Sequence, residues 1–333
     1  LAERWARRGV RIGAVGDQPD GDELLGSVLG AEGAATPDLF GVANEAFSVE
    51  PVAIVVPDGV VVDEPIVVVD WMATPGALTF PHLVVRLGID AEATVVEHHG
   101  GDDVTGLSVP ATELAAGQAA RLRYLNVQRR GPRAWQIATQ SSFVERDATL
   151  AAAQAALGGG YARTRADCRL VGRGATGNLM AVYYGDGDQT LDFRTFQDHA
   201  APDTTSNLLF KGAVAGRSRS VYTGLIRVRP EGRGTNAFQT NRTIKLSDDA
   251  WAESVPNLEI ENNDVHCSHA SAVGPIDEEQ RFYLESRGVP TEVAERLIVE
   301  GFFLEVLSQL PAVGAADGVW AAIAERLDRR VDA

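Results

Sequence analysis

Cys267 and His269 stand two residues apart in Asn263-Asp264-Val265-His266-Cys267-Ser268-His269, a stretch holding one of the chain's two cysteines and two of its six histidines. On an extended strand alternate residues share a face, so Cys267 and His269 point one way and His266 and Ser268 the other. Two steps along a strand span about 6.5–7 Å. That is awkward for two ligands of one rigidly held ion. It suits neighbouring corners of a small cluster, or one ligand with a partner behind it. Thiolate and imidazole are the ligand pair of zinc, copper and iron–sulfur sites. The ligand count is short, because the chain has no CxxC and Cys168 is its only other thiol. A four-coordinate centre here needs ligands from another chain or an exogenous group. The same residues also describe a buried, inert cysteine beside a hydrogen-bonded histidine, and the pattern alone leaves both readings open.

Other constellations carry less chemistry. His98-His99 follow Glu97 and precede Asp102 and Asp103, but adjacent histidines on a strand face opposite ways, so the segment reads as a turn. Asp198-His199 has no nucleophile in motif context, and no G-x-S-x-G occurs. Gly158-Gly159-Gly160 and Gly172-Arg173-Gly174 lack the Lys-Ser/Thr and helix of a phosphate loop. Cys168, between Asp167 and Arg169 in a strand pattern, reads as structural. The expectation is a protein without a catalytic set.

The chain has 333 residues and a formal net charge of −16. That balance argues against general nucleic-acid binding, which needs a basic footprint. Local arginine clusters (Arg129, Arg130, Arg133; Arg227, Arg229, Arg233) read as solvated strand edges and turns. No apolar run reaches the length of a membrane span, since Val52 to Val69 is broken by Pro57, Asp58, Asp63, Glu64 and Pro65. Two distant cysteines do not make a disulfide framework and fit a reducing cytoplasm. The chain opens on Leu1, so its natural start is expected upstream.

The elements that must position Cys267 and His269 are mostly strands. Leu1 to about Gly33 reads as a helix-compatible start (Leu1 to Arg8) and a Gly/Asp-rich link. Thr36 to Phe47 reads as a helix capped by Thr36, with Pro37 and Asp38 in its first turn and a buried side of Leu39, Phe40, Val42, Ala43 and Phe47. From Val49 the period shortens. Val52 to Val56, Val60 to Val62 and Ile66 to Val69 are β-branched runs broken by turn residues. The same grammar runs for some two hundred residues, through Leu83 to Leu87, Ala93 to Glu97, Ala120 to Val127 and Gln136 to Val144. Similar turns recur, as at Gly88 to Ala93, Ala115 to Ala119, Arg146 to Thr149 and Gly172 to Ala175. Many short strands joined by turns of one kind favour a parallel β-solenoid over a sandwich or propeller. Ala148 to Leu157, helical by propensity, reads as strand because Gly158-Gly159-Gly160 follows and the repeat continues through it. The tail is helical. Asp277 caps with Gln280 three residues on, Gly288 stops that helix, and a longer one runs from Thr291 to Leu310 with more apolar residues than one stripe needs.

Several motifs resemble the SufB/SufD family of iron–sulfur cluster assembly proteins. They are Gln239-Thr240-Asn241-Arg242, Leu246-Ser247-Asp248, Pro256-Asn257-Leu258-Glu259-Ile260, Asp264 to His269, and Asp277 through Phe282-Tyr283-Leu284-Glu285-Ser286-Arg287-Gly288. A fainter match lies at Asn44-Glu45-Ala46-Phe47, Val56 to Val60 and Glu64-Pro65-Ile66. Cys-Ser-His is the SufD-like form. Departures are Ala270-Ser271-Ala272 where the family usually reads Gly-Ala-Thr, and His266 where it often has Lys.

The resemblance implies a mostly β chain: a right-handed parallel β-helix core over 48–272, an N-terminal helical region and linker over 1–47, and a C-terminal helical domain over 273–333. It implies a non-catalytic scaffold in a soluble, cytoplasmic complex, pairing with SufB through the β-helices and docking the ATPase SufC on the C-terminal helices. It maps the SufD-type interface ligands onto Cys267 and His269, as metal and cluster ligands. There a transient iron–sulfur cluster would take further ligands from SufB, with no cofactor held tightly by this chain alone. Self-pairing of the isolated chain is a further expectation, and neither nucleic acid nor membrane is an expected partner. The alternatives are a polysaccharide-acting β-solenoid and a purely structural partner of SufB.

Overall fold

Short β-branched runs broken by tight turns bury their apolar faces only by stacking on one another. The chain does this as a parallel β-solenoid of about eight turns, seen in a computed structural model that describes residues 3–331 except 22, 26–37 and 313. Each turn gives one strand to each of two sheets. The first sheet runs β2 (Val52–Val56), β5 (His82–Leu87), β8 (Ala111–Ala116), β10 (Ala134–Val144), β12 (Tyr161–Leu170), β14 (Thr190–His199), β16 (Arg219–Val228), β18 (Trp251–Ile260). The second runs β3 (Ile66–Met72), β6 (Glu92–Gly101), β9 (Arg121–Gln128), β11 (Thr149–Ala156), β13 (Thr176–Gly185), β15 (Thr205–Val214), β17 (Asn236–Lys245), β19 (His266–Pro275). A short pair, β4 (Ala77–Thr79) and β7 (Gly106–Ser108), joins the first sheet through β10.

The recurring turns share a backbone device. Asp90, Ala119, Asp147 and Asp203 all adopt left-handed φ between 52° and 60°, and Gly174 and Gly234 take the same role at φ 75° and 74°. Aspartate tolerates that region and glycine enters it freely, which is why the turns look alike without being identical. Ion pairs 29 to 31 residues apart in sequence then join successive coils: Arg217–Asp188, Arg173–Asp203, Arg229–Asp198 and Arg233–Asp264.

Inside the coil, Tyr183, Phe193, Phe210 and Tyr222 form a chain of ring contacts with centroids 4.7, 5.7 and 5.4 Å apart. Tyr183 reaches over Gly212 to place its hydroxyl 2.7 Å from Thr243 Oγ1. A Cβ at Gly212 would lie 1.8 Å from that ring, so only glycine fits. Ala148 to Leu157 is strand β11, as expected. It is alanine-rich because both faces are covered: Ala152 and Ala156 pack inside the coil, Ala153 and Ala155 against helices outside it.

Those helices follow the last strand. α3 (Glu278–Glu285) is capped by Asp277, whose Oδ1 accepts from the N–H groups of Glu279 and Gln280; Gly288 follows at φ 85°. α4 (Thr291–Leu307) and α5 (Ala315–Val331) lie on the outer face of the second sheet, where Val299, Phe303, Val306, Ile323 and Leu327 cover Leu125, Val182 and Leu209. α4 stops at Leu307, three residues before the expected Leu310. None of these helices is long and apolar enough to cross a membrane among the described residues.

Several expectations are corrected. The N-terminal stretch is more than a short helix and a link: after α1 (Glu3–Ala6), β1 (Arg11–Ala14) pairs antiparallel with β2 and caps the first sheet. Residues 26–33 of that link, and Thr36 and Pro37, lie outside the described residues. The cap of α2 (Leu39–Phe47) is Asp38, whose Oδ1 accepts from the N–H groups of Phe40 and Gly41. Leu39, Val42 and Phe47 of α2 are exposed, and the helix hangs instead on buried Asn44, whose Nδ2 donates to Pro81 O at 2.9 Å and Val109 O at 2.7 Å. Val60 to Val62 makes a single bridge, Val61 to Glu92, rather than a strand. β19 runs to Pro275, past the boundary expected at 272.

Arg130 and the His98-His99 pair are also corrected. Both histidines lie in β6, with His99 buried, and Arg130 is buried rather than solvated. Arg130 pairs with Asp70, and His99 bridges Asp70 Oδ2 at 3.0 Å and Glu97 Oε1 at 3.3 Å. Glu97 also accepts from Thr112 Oγ1 at 2.9 Å and from the Tyr124 hydroxyl. Against the desolvation that disfavours its charge, Glu97 and Asp70 raise His99 to about 9. The imidazolium is part of the fold.

Candidate functional site

β18 and β19 end their sheets, and the outer edge of each meets no further strand among the described residues. The solenoid is therefore open at this end. β19 pairs in register with β17, so that Cys267 stands beside Ala237, His269 beside Gln239 and Ser271 beside Asn241. Ala237, Gln239 and Asn241 are buried inward-facing residues, so Cys267 and His269 continue the inner columns of the coil onto its last rung.

Cys267 is half-buried and packs against Ile226, Val228 and Ala237, with Leu258 and Val265 beside it. Burial pushes its thiol pKa up, and a backbone contact from Ala237 offsets this in part. The resting group is the thiol, and a bound cation is what would hold it as thiolate. His269 is exposed at the rim. His266 shares the outward row with Asn236 and Ser268, away from Cys267. The facing read from the sequence is the one the register gives. Among the described residues no three of His, Cys, Asp and Glu gather as a metal site.

The other candidates are brought into no shared site. Cys168 is buried inside the coil, where desolvation drives its thiol up to about 12; a Cβ on Gly177 would lie 2.8 Å from its Sγ. His199 is buried between Thr204 Oγ1 at 2.8 Å and Ser206 Oγ at 2.9 Å, and desolvation lowers it to about 4. Asp198 accepts from Nε and Nη2 of Arg229 at 2.8 and 2.7 Å. The Asp198–Arg229 pair joins successive coils, whereas the contacts of His199 and Cys168 lie within a single coil.

Two features were not legible in the sequence. One is a groove of about 1010 Å³ between the outer face of β17 and β19 and the helices α3 and α4, lined by Ile244, Val273, Tyr283, Leu284, Leu297 and Phe302. The other is the amide pair Gln239 and Asn241 beneath the rim. The motif Gln239-Thr240-Asn241-Arg242 could have signalled it, because polar residues at inward strand positions ask for partners.

Residues 71–302 match the family model of the SufBD core domain of the SUF system of FeS cluster assembly. The chain belongs to the SufB/SufD family. The matched region runs from β3 through most of α4, and so contains the open end and the groove. The chain is 35% identical over 309 residues to an iron–sulfur cluster assembly SufBD family protein of Mycobacterium tuberculosis, covering 90% of this chain and 77% of that one. It is 30% identical over 238 residues to the iron–sulfur cluster assembly protein SufD of Escherichia coli, covering 71% and 56%. To SufD of Bacillus subtilis it is 35% identical over 145 residues, covering 44% and 33%.

Proposed function

We propose that this chain is a SufD-like scaffold subunit of iron–sulfur cluster assembly, without catalysis of its own. It pairs with a SufB-like subunit through the open end of the solenoid, and Cys267 and His269 contribute ligands to a cluster built at that seam. The observation that carries this is the place of the two side chains. They occupy alternate inward positions on the last rung, at the mouth, where a second subunit can reach both. Two donors about 6.5–7 Å apart leave a cluster short of ligands, and the facing subunit supplies the rest. The cluster is cargo in this account. As iron binds, Cys267 Sγ forms the iron–sulfur bond and releases its proton, and the imidazole offers a nitrogen lone pair.

The helical region has its own part. α4 leaves Val293, Leu297 and Leu304 exposed, and α3 exposes Phe282 and Tyr283 beside the groove. Apolar residues concentrated there suit an ATPase of the SufC type, whose cycle would move the helices and, through β19, the mouth.

The test is co-purification with SufB-like and SufC-like subunits, followed by iron and sulfide analysis. Cys267→Ala and His269→Ala are expected to keep the complex and lower both iron and sulfide. Undiminished cluster in both variants would leave a purely structural partner. Loss of all association would remove the assembly role.

A further inference from the structure

Gln239 has no part in the reading above, yet it is the register partner of His269, one rung further in. Neighbouring strands lie about 4.8 Å apart, which places the end of a glutamine side chain within reach of an imidazole on the next rung. Gln239 is buried, and its Nε2 sits against Gly224 beside the Tyr222 hydroxyl. Its Oε1 has no hydrogen-bond partner among the described residues. A buried amide oxygen without a partner is destabilising, and such atoms are few in folded proteins. His269, at the rim directly above, can supply the missing donor by turning its ring inward.

A neutral imidazole carries one N–H and one bare lone pair, and only the bare nitrogen can bind a metal. Which nitrogen is bare is set by what accepts the proton of the other. Resting on the ligand role given to His269 above, we propose that Gln239 is a positioning residue: its Oε1 accepts the N–H of one ring nitrogen of His269, fixing the tautomer and aiming the other nitrogen to the side where Cys267 Sγ lies. The motif Gln239-Thr240-Asn241-Arg242 thereby acquires a chemical purpose. Gln239 touches no cargo and acts only through the histidine.

The experiment uses the full chain, labelled with nitrogen-15, and long-range proton–nitrogen NMR of the imidazoles at alkaline pH. His269→Gln assigns the signals. In the parent chain the two ring nitrogens of His269 should be well separated, one protonated and one bare. Gln239→Met keeps side-chain length and burial but removes the acceptor, and the two shifts should move toward each other as tautomers exchange. Gln239→Glu retains an acceptor and should keep them apart. Unchanged His269 shifts in Gln239→Met overturn the proposal. The measurement needs neither partner nor cargo, so it stands or falls separately from the iron and sulfide analysis. In the reconstituted complex, iron retention against a chelator should fall about 10–100-fold in Gln239→Met and recover in Gln239→Glu. Normal retention in Gln239→Met would also overturn it.

Discussion

Lys211 Nζ lies 2.9 Å from the carbonyl oxygen of Phe302, so a buried ammonium on β15 holds the backbone of α4. The same ammonium pairs with Glu305 and sits 4.6 Å from the Phe302 ring centroid. One side chain thus joins the outer face of the solenoid to the helix that borders the groove.

Lys211→Met should loosen that junction. Losing a hydrogen bond to a charged group removes roughly 1–3 kcal/mol. Hydrogen exchange of α4 backbone amides should accelerate while the amides of β9 to β13 keep their protection. Equal exchange in α4 before and after would show that apolar packing alone holds it.

Two buried histidines should bracket the pH range of stability. His99 is raised to about 9 by Glu97 and Asp70 working against desolvation, so its contribution is complete below about 6.5 and is lost as pH climbs through 9. His199 is lowered to about 4 by desolvation, so the unfolded chain takes up its proton first and stability falls as pH drops from about 6.5 toward 4. Each limb amounts to roughly 3 kcal/mol. Denaturant midpoints across pH should show His99→Gln flattening the alkaline limb and His199→Gln the acid one.

Gly212→Ala should be severe, because the new Cβ meets the Tyr183 ring at 1.8 Å. Overpacking of this kind removes about 1–3 kcal/mol or more. Combining it with Tyr183→Leu should recover part of the loss, and a double-mutant cycle measured by urea unfolding reads the coupling. Additive losses would mean that the ring is not the obstacle.

The two thiols should differ in reactivity. Cys267 is half-buried at the mouth and Cys168 is fully enclosed. A maleimide applied to the folded chain should label Cys267 alone, as mass spectrometry of the digest would show, and a SufB-like subunit added first should suppress that labelling. Labelling that ignores the subunit would move the seam elsewhere.

Much of this architecture could be read from single residues. Turn acids such as Asp90 and Asp147 announced the coil because they tolerate the left-handed backbone each corner requires. Asp277 announced α3, since a capping side chain acts within three residues. What escaped depends on residues far apart. Arg130 looks solvated locally and is buried because coil register sets it beside Asp70, sixty positions earlier. Arg11–Ala14 looks like link and becomes strand because Val52–Val56 lacks an outer neighbour. At the site, the shared facing of Cys267 and His269 follows from alternation alone. Gln239 beneath His269 follows only from knowing which strand lies next to which.

A stack frays readily at an open end, since its terminal layer is gripped on a single side. The thiol and imidazole ride on that outermost layer. Cargo held there as proposed above would be released by fraying a few residues, while the aromatic spine and the histidine network deeper in stay folded.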